Sequence, residues 1–192
     1  MDVWFYRLVR PIVKLFFYFV YRPKVIGKEN VPKKGRIVIA SNHPDYLDCV
    51  ALVATNKRTI HFLAKDELLK GFWGPAFKAM GIIPVNRSIH DKNALHNAIN
   101  ALNEEKVIGI FPEGTINRTE DIIMPFKIGA VKMASETNTS IVPFTITGEY
   151  KPFKKSVTIE FYKPMKIKSD DLTKENERLM KFISKQLEEK RK

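Results

Sequence analysis

The chain has 192 residues, 44% hydrophobic and 28% charged, enough for one domain with a real core and too apolar for a disordered segment. A single cysteine, Cys49, excludes an intrachain disulfide framework and a multi-cysteine metal site, and fits a reducing compartment. Thirty-three Lys and Arg against 21 Asp and Glu leave a formal charge of +12, a surface drawn to polyanions, either nucleic acid or anionic lipid headgroups.

Residues 1–21, MDVWFYRLVRPIVKLFFYFVY, are strongly apolar and aromatic but interrupted by Arg7, Arg10 and Lys14. The longest uncharged run, Leu15 to Tyr21, is far below the roughly 20 residues that a spanning helix needs. A secretory signal would keep its charges ahead of an unbroken apolar stretch and end in small residues; this segment does neither. On a helix the three cations form one narrow stripe, while Trp4, Phe5, Leu8, Ile12, Leu15, Phe16 and Phe19 cover most of the rest. The pattern predicts an N-terminal amphipathic helix within residues 1–22, lying in a bilayer interface with cations toward headgroups and rings toward acyl chains. The competing reading packs the same helix on the core with its charged stripe facing water. Pro11 is a point where it can bend or split.

Residues 23–192 read as one further domain. A connector over 22–35, punctuated by Pro23, Gly27, Pro32 and Gly35, carries one short edge strand at 24–26. Beyond it, β-branched runs predict strands at 36–40, 60–63, 82–85, 107–111, 141–146 and 157–161. Helical patterns lie at 46–55, 66–80, 92–104, 128–137 and 172–190. This alternation predicts an α/β fold: a sandwich of helices around a central, largely parallel mixed sheet. In such folds ligand groups gather beyond the carboxyl ends of the strands.

The first strand-end motif is Ser41-Asn42-His43-Pro44-Asp45-Tyr46-Leu47-Asp48. His43 falls in a strand-to-helix turn restricted by Pro44, so its ring can fold back over the helix start where Asp48 lies, with Asp45 as an N-cap. A carboxylate on one ring nitrogen fixes the tautomer and stabilises imidazolium, while the other nitrogen can take a proton from an alcohol. This is the base and orienter of a triad without its serine; neither Ser41 nor Cys49 is favoured as a nucleophile. Taken alone, the pair proves little, and a histidine that only caps a turn is the commoner case.

Gly81-Ile82-Ile83-Pro84-Val85-Asn86-Arg87 ends a strand at Arg87, just ahead of a helix opened by Ser88 or Asp91. A cation there suits a phosphate, or is a plain surface charge. Phe111-Pro112-Glu113-Gly114-Thr115 puts Glu113 at the rim of the sheet after a strand that Pro112 ends. Ile141-Val142-Pro143-Phe144 is an apolar strand and carries no polar group. His61, His90 and His96 show no metal-ligand spacing.

Asn42-His43-x4-Asp48, the segment from Gly81 to Arg87, Phe111 to Thr115 and the Val142-Pro143 strand occur in that order, and Phe126-Lys127-Ile128-Gly129-Ala130 follows the third. Together they resemble the motifs of the glycerolipid acyltransferase family over residues 24–165. The resemblance implies that His43 is the general base on an acceptor hydroxyl, oriented by Asp48, attacking an acyl thioester with no acyl-enzyme. It implies that Arg87 holds the acceptor's phosphate and that Glu113, Gly114 and Thr115 help to position the acceptor, 1-acyl-glycerol-3-phosphate, which becomes phosphatidic acid in phospholipid biosynthesis. Many members carry Arg directly after Glu-Gly-Thr; here Ile116 and Asn117 intervene and Arg118 comes third, which leaves another lysolipid or a non-phosphate acceptor open.

Further implications are a thioester co-substrate on acyl carrier protein or coenzyme A, no cofactor and no metal. The expected partners are a membrane lipid and an anionic membrane surface, with the chain peripheral or monotopic on the cytoplasmic face. A basic nucleic-acid-binding module would explain the charge alone, and neither a zinc pattern nor a sheet motif with paired stacking aromatics accompanies it. An idle membrane adaptor is disfavoured by intact His43, Asp48, Arg87 and Glu113.

Overall fold

The computed structural model describes residues 3–86 and 91–191. Helix α1 (Trp4–Tyr21) leads into β1 (Lys24–Ile26), a short 3-10 turn, β2 (Ile37–Ser41), α2 (Asp48–Thr55), β3 (Ile60–Lys65), a second 3-10 turn (Asp66–Leu69) and α3 (Gly74–Ala79). Then come β4 (Ile83–Val85), α4 (Lys92–Asn103), β5 (Val107–Ile110), α5 (Gly129–Glu136), β6 (Ile141–Gly148), β7 (Val157–Phe161) and α6 (Leu172–Glu189). The strands form one sheet in the order β1-β7-β6-β2-β5-β3-β4. Every neighbouring pair is parallel except β6 with β7. The largely parallel mixed sheet expected from the alternation is therefore present, with 24–26 on its edge.

Strand β2 is central, and all five of its residues are buried. Ile37 and Ile39 face a core that includes Phe17 of α1 and Leu52 of α2; Val38 and Ala40 face one built from Leu102, Met133 and Ile183 of α4, α5 and α6. Burial on both faces is what its unbroken apolar run demands. The layers are thus α1 and α2, then the sheet, then α4, α5 and α6. Because β2 to β6 run in one direction, their carboxyl ends share a rim. There β2 stands between β5 and β6, so consecutive loops depart to opposite sides and leave a crevice.

Two local expectations are corrected, and two left open are resolved. The single helix over 66–80 is two elements, because the backbone turns at Gly71 and Gly74 and the Leu69 carbonyl lies where a side chain at Gly74 would stand, 2.1 Å from its Cβ position. Pro75 then opens α3, at a position where its missing N–H costs nothing. Asp45 does not cap α2; its carboxylate accepts the Leu47 N–H at 2.8 Å in a side-chain turn, and the helix starts at Asp48. Pro11 does not split α1, which runs as one element. Of the two candidate caps for α4, Asp91 does the capping, accepting the Ala94 N–H at 3.0 Å; Ser88 lies outside the described residues.

Candidate active site

The turn after β2 is fastened before its histidine does anything. Asn42, buried, bonds both the N–H and the carbonyl of Ile146 on β6, each at 3.0 Å. The His43 N–H donates to Glu113 Oε1 at 2.7 Å, and the His43 carbonyl accepts the Asn117 N–H at 2.8 Å. Both peptide groups of the turn are thus held by the loop that follows β5. Phe111, which leaves the β5 ladder, stacks on the imidazole with centroids 4.1 Å apart and planes 15° apart. Phe62 of β3 stacks in turn on Phe111 at 6.5 Å, and Gly109 leaves room for that ring, since a Cβ there would come within 2.9 Å of it.

So held, the His43 ring turns back over the start of α2. Its Nδ1 lies 2.8 Å from Asp48 Oδ2. An ionised carboxylate only accepts, so the proton belongs on Nδ1 and Nε2 presents its lone pair. Asp48 is fully buried. Its Oδ2 also accepts the Asp45 N–H at 2.8 Å, and its Oδ1 accepts the Tyr150 hydroxyl at 2.8 Å. Burial pushes the Asp48 carboxyl above its ordinary value, against the opposing pull of His43, the Asp45 N–H and Tyr150. His43 borders an open cleft of about 320 Å³ shared with Glu113, Asn117, Gly148, Lys190 and Arg191. A buried carboxylate, an oriented imidazole and an adjoining cleft are an arrangement that can take a proton from a hydroxyl placed beside it.

The remaining expected residues are distributed around this pair. Glu113 is only 3% exposed. Its Oε1 takes the His43 N–H and its Oε2 takes the Met124 N–H at 2.8 Å, so it braces the loop backbone. Burial pushes its carboxyl up as well. Gly114 has φ 75°, and the Lys127 side chain lies where a Cβ would point. Thr115 is exposed. Arg118 sits over the Tyr46 ring at 5.7 Å and bonds the Tyr46 hydroxyl, on the turn between His43 and Asp48. Arg87 lies outside the described residues, between β4 and the Asp91 cap. Ser41 is fully buried at the end of β2 with its hydroxyl on Asn42, and Cys49 is half-buried. Among the described residues no cluster of three His, Cys, Asp or Glu side chains could hold a metal ion.

Sequence reasoning missed Tyr150, the stacking of Phe111, and the cations Lys190 and Arg191 that α6 delivers to the cleft. A tyrosine followed by a basic run, Tyr150 to Lys155, carried no signal of contact with a residue 102 positions earlier.

The Acyltransferase family model matches residues 22–147. A 1-acyl-sn-glycerol-3-phosphate acyltransferase from Borreliella burgdorferi is 40% identical over 136 residues, which is 69% of this chain and 54% of that protein. The Bacillus subtilis protein of the same name is 35% identical over 127 residues, 65% of this chain and 62% of its own. The chain thus spans little more than half the length of these relatives. The crystal structure of the 1-acyl-sn-glycerophosphate (LPA) acyltransferase PlsC from Thermotoga maritima shares the fold, with TM-score 0.75 at 21% identity, covering 97% of this chain and 79% of that one. With the motifs that follow β2 and β5 joined at one rim of the sheet, and a family match over residues 22–147, the chain belongs to the acyltransferase family.

Proposed function

We propose that this chain moves a fatty acyl group from an acyl thioester to the free hydroxyl of 1-acyl-glycerol-3-phosphate, forming phosphatidic acid. The observation that carries this reading is the 2.8 Å contact of His43 Nδ1 with buried Asp48, which leaves the other ring nitrogen for a substrate. His43 Nε2 takes the hydroxyl proton as the acceptor oxygen attacks the thioester carbonyl, and Asp48 stabilises the imidazolium. The tetrahedral intermediate collapses, the carbon–sulfur bond breaks, and the imidazolium returns the proton to the departing thiolate. Glu113 acts at one remove by fixing the His43 peptide. Arg87 and Arg118 bind the acceptor's phosphate, and the thioester comes from acyl carrier protein or coenzyme A. The names of the relatives support the choice of acceptor.

The same reading seats the chain peripherally or monotopically on the cytoplasmic face of the cell membrane. Trp4, Leu8, Ile12, Leu15, Phe16 and Phe19 on α1 are 58–75% exposed, and Phe72 and Trp73 ahead of α3 are 90% and 67% exposed. Apolar exposure on this scale needs a partner, and an acyl-chain boundary supplies one. Among the described residues no helix is long and apolar enough to cross a membrane.

The test is conversion of lysophosphatidic acid and of an unphosphorylated monoacylglycerol in detergent, with labelled acyl-CoA and acyl-ACP as donors. Phosphatidic acid formation is the expected result, and Arg87→Ala should raise KM for the phosphorylated acceptor far more than for the other. Equal effects on the two acceptors would remove Arg87 from the phosphate. Binding to plain DNA with steep salt dependence and no acyl transfer would overturn the reading in favour of a nucleic-acid module.

A further inference from the structure

Only one oxygen of Asp48 serves the histidine. The other, Oδ1, accepts the hydroxyl of Tyr150 at 2.8 Å, from the loop just beyond β6. The Tyr150 ring belongs to an aromatic group under α1, with centroids 6.0 Å from Phe17 and 5.7 Å from Tyr21. Phe17 is fully buried and lies 5.2 Å from Tyr21. The same loop is tied to α1 again, since the Phe153 N–H bonds the Val20 carbonyl and Phe153 meets Phe19 edge-on at 5.9 Å. One loop therefore touches the orienting carboxylate at one end and the helix with the exposed apolar face at the other.

We propose that Tyr150 is a positioning residue for acyl transfer, one that holds Asp48 through Oδ1 and ties the alignment of the His43–Asp48 pair to the seating of α1. This rests on the general-base reading of that pair. A carboxylate bonded only through Oδ2 can pivot about its last torsion; a donor on Oδ1 fixes its plane and aims Oδ2 at Nδ1. Burial and the Asp48 charge push the Tyr150 hydroxyl well above its ordinary value, so it stays a donor wherever the protein is folded. The ring packs against both Phe17 and Tyr21, so a shift of α1 carries the hydroxyl with it.

The experiment measures kcat and KM for both substrates, with thermal midpoints, in Tyr150→Phe, Phe17→Leu, the double variant and His43→Ala. Tyr150→Phe keeps the ring and loses the donor; kcat measured well below the midpoint should fall about tenfold, with KM for each substrate within about twofold of wild type, and the midpoint should drop somewhat because Asp48 Oδ1 loses its donor. Phe17→Leu keeps the hydroxyl and loosens its support, so kcat should fall less, and the double variant should be no worse than Tyr150→Phe. Wild-type kcat in Tyr150→Phe beside an inactive His43→Ala would overturn the inference and leave the pair standing. Additive losses in the double variant would overturn the link to α1, and a kcat that returns to the wild-type value when assayed well below the variant's midpoint would mark Tyr150 as merely structural. Activity retained by His43→Ala would instead defeat the underlying general-base reading.

Discussion

Glu113 and Asp48 are buried carboxylates with different duties. Glu113 meets a backbone N–H with each oxygen, so Glu113→Gln must turn its amide nitrogen toward one of them. The stranded donor should cost about 1–3 kcal/mol, read as a lowered thermal midpoint, and activity should drop because the His43 peptide loses its anchor. An unchanged midpoint would mean that the brace carries little. Asp48 makes a prediction about pH. Its folded carboxyl is pushed above the ordinary 3.8 by burial, so the folded state binds that proton more tightly than the unfolded chain. The resulting stability is full below 3.8 and is lost as pH rises through the raised folded value. Asp48→Asn removes this contribution, so the variant's stability relative to wild type should improve as pH rises across that window. Urea unfolding of both proteins at several pH values checks it; a difference independent of pH would contradict the shift. The His43–Asp48 pair was legible because both residues share one turn. The partner of Glu113 was not, since a carboxylate after a strand reads alike whether it faces water or the backbone of another loop. Tyr150 was illegible because only the strand order brings β6 beside β2.

At the scale of elements, the parallel strands were legible as short unbroken apolar runs. β5 stops one residue early because Phe111 leaves the ladder to cover His43, a role its side chain alone does not announce. The expected helix at 66–80 failed on backbone chemistry, because Gly71 and Gly74 were outweighed by the apolar period around them. Helix α1 packs one face on the core and leaves a second apolar face exposed. Phe17 and Tyr6 are buried against the core, while Leu15 and Phe19 are 75% and 64% exposed. Phe17→Ala should therefore destabilise the fold by about 3–5 kcal/mol, seen in chemical unfolding. Leu15→Ser with Phe19→Ser should leave the midpoint unchanged and weaken sedimentation with lipid vesicles. A loss of stability without a loss of vesicle binding would show that this face packs on protein.

For the molecule as a whole, a parallel sheet collects loops distant in sequence onto one rim, and the chain carries a formal charge of +12. Binding to vesicles rich in anionic lipid should exceed binding to zwitterionic ones and weaken as salt rises, because screening shortens the reach of those charges. Equal binding to both at low salt would leave the apolar face of α1 as the whole attraction. The order of motifs along the chain was enough to point to the family, whereas the brace of Glu113 and the reach of Tyr150 needed three dimensions. The most direct measurement is acyl transfer from a labelled thioester to lysophosphatidic acid by wild type and His43→Ala, with unfolding midpoints taken alongside. The account predicts at least about a hundredfold loss of turnover in a variant that remains folded. A folded variant turning over near the wild-type rate would contradict it.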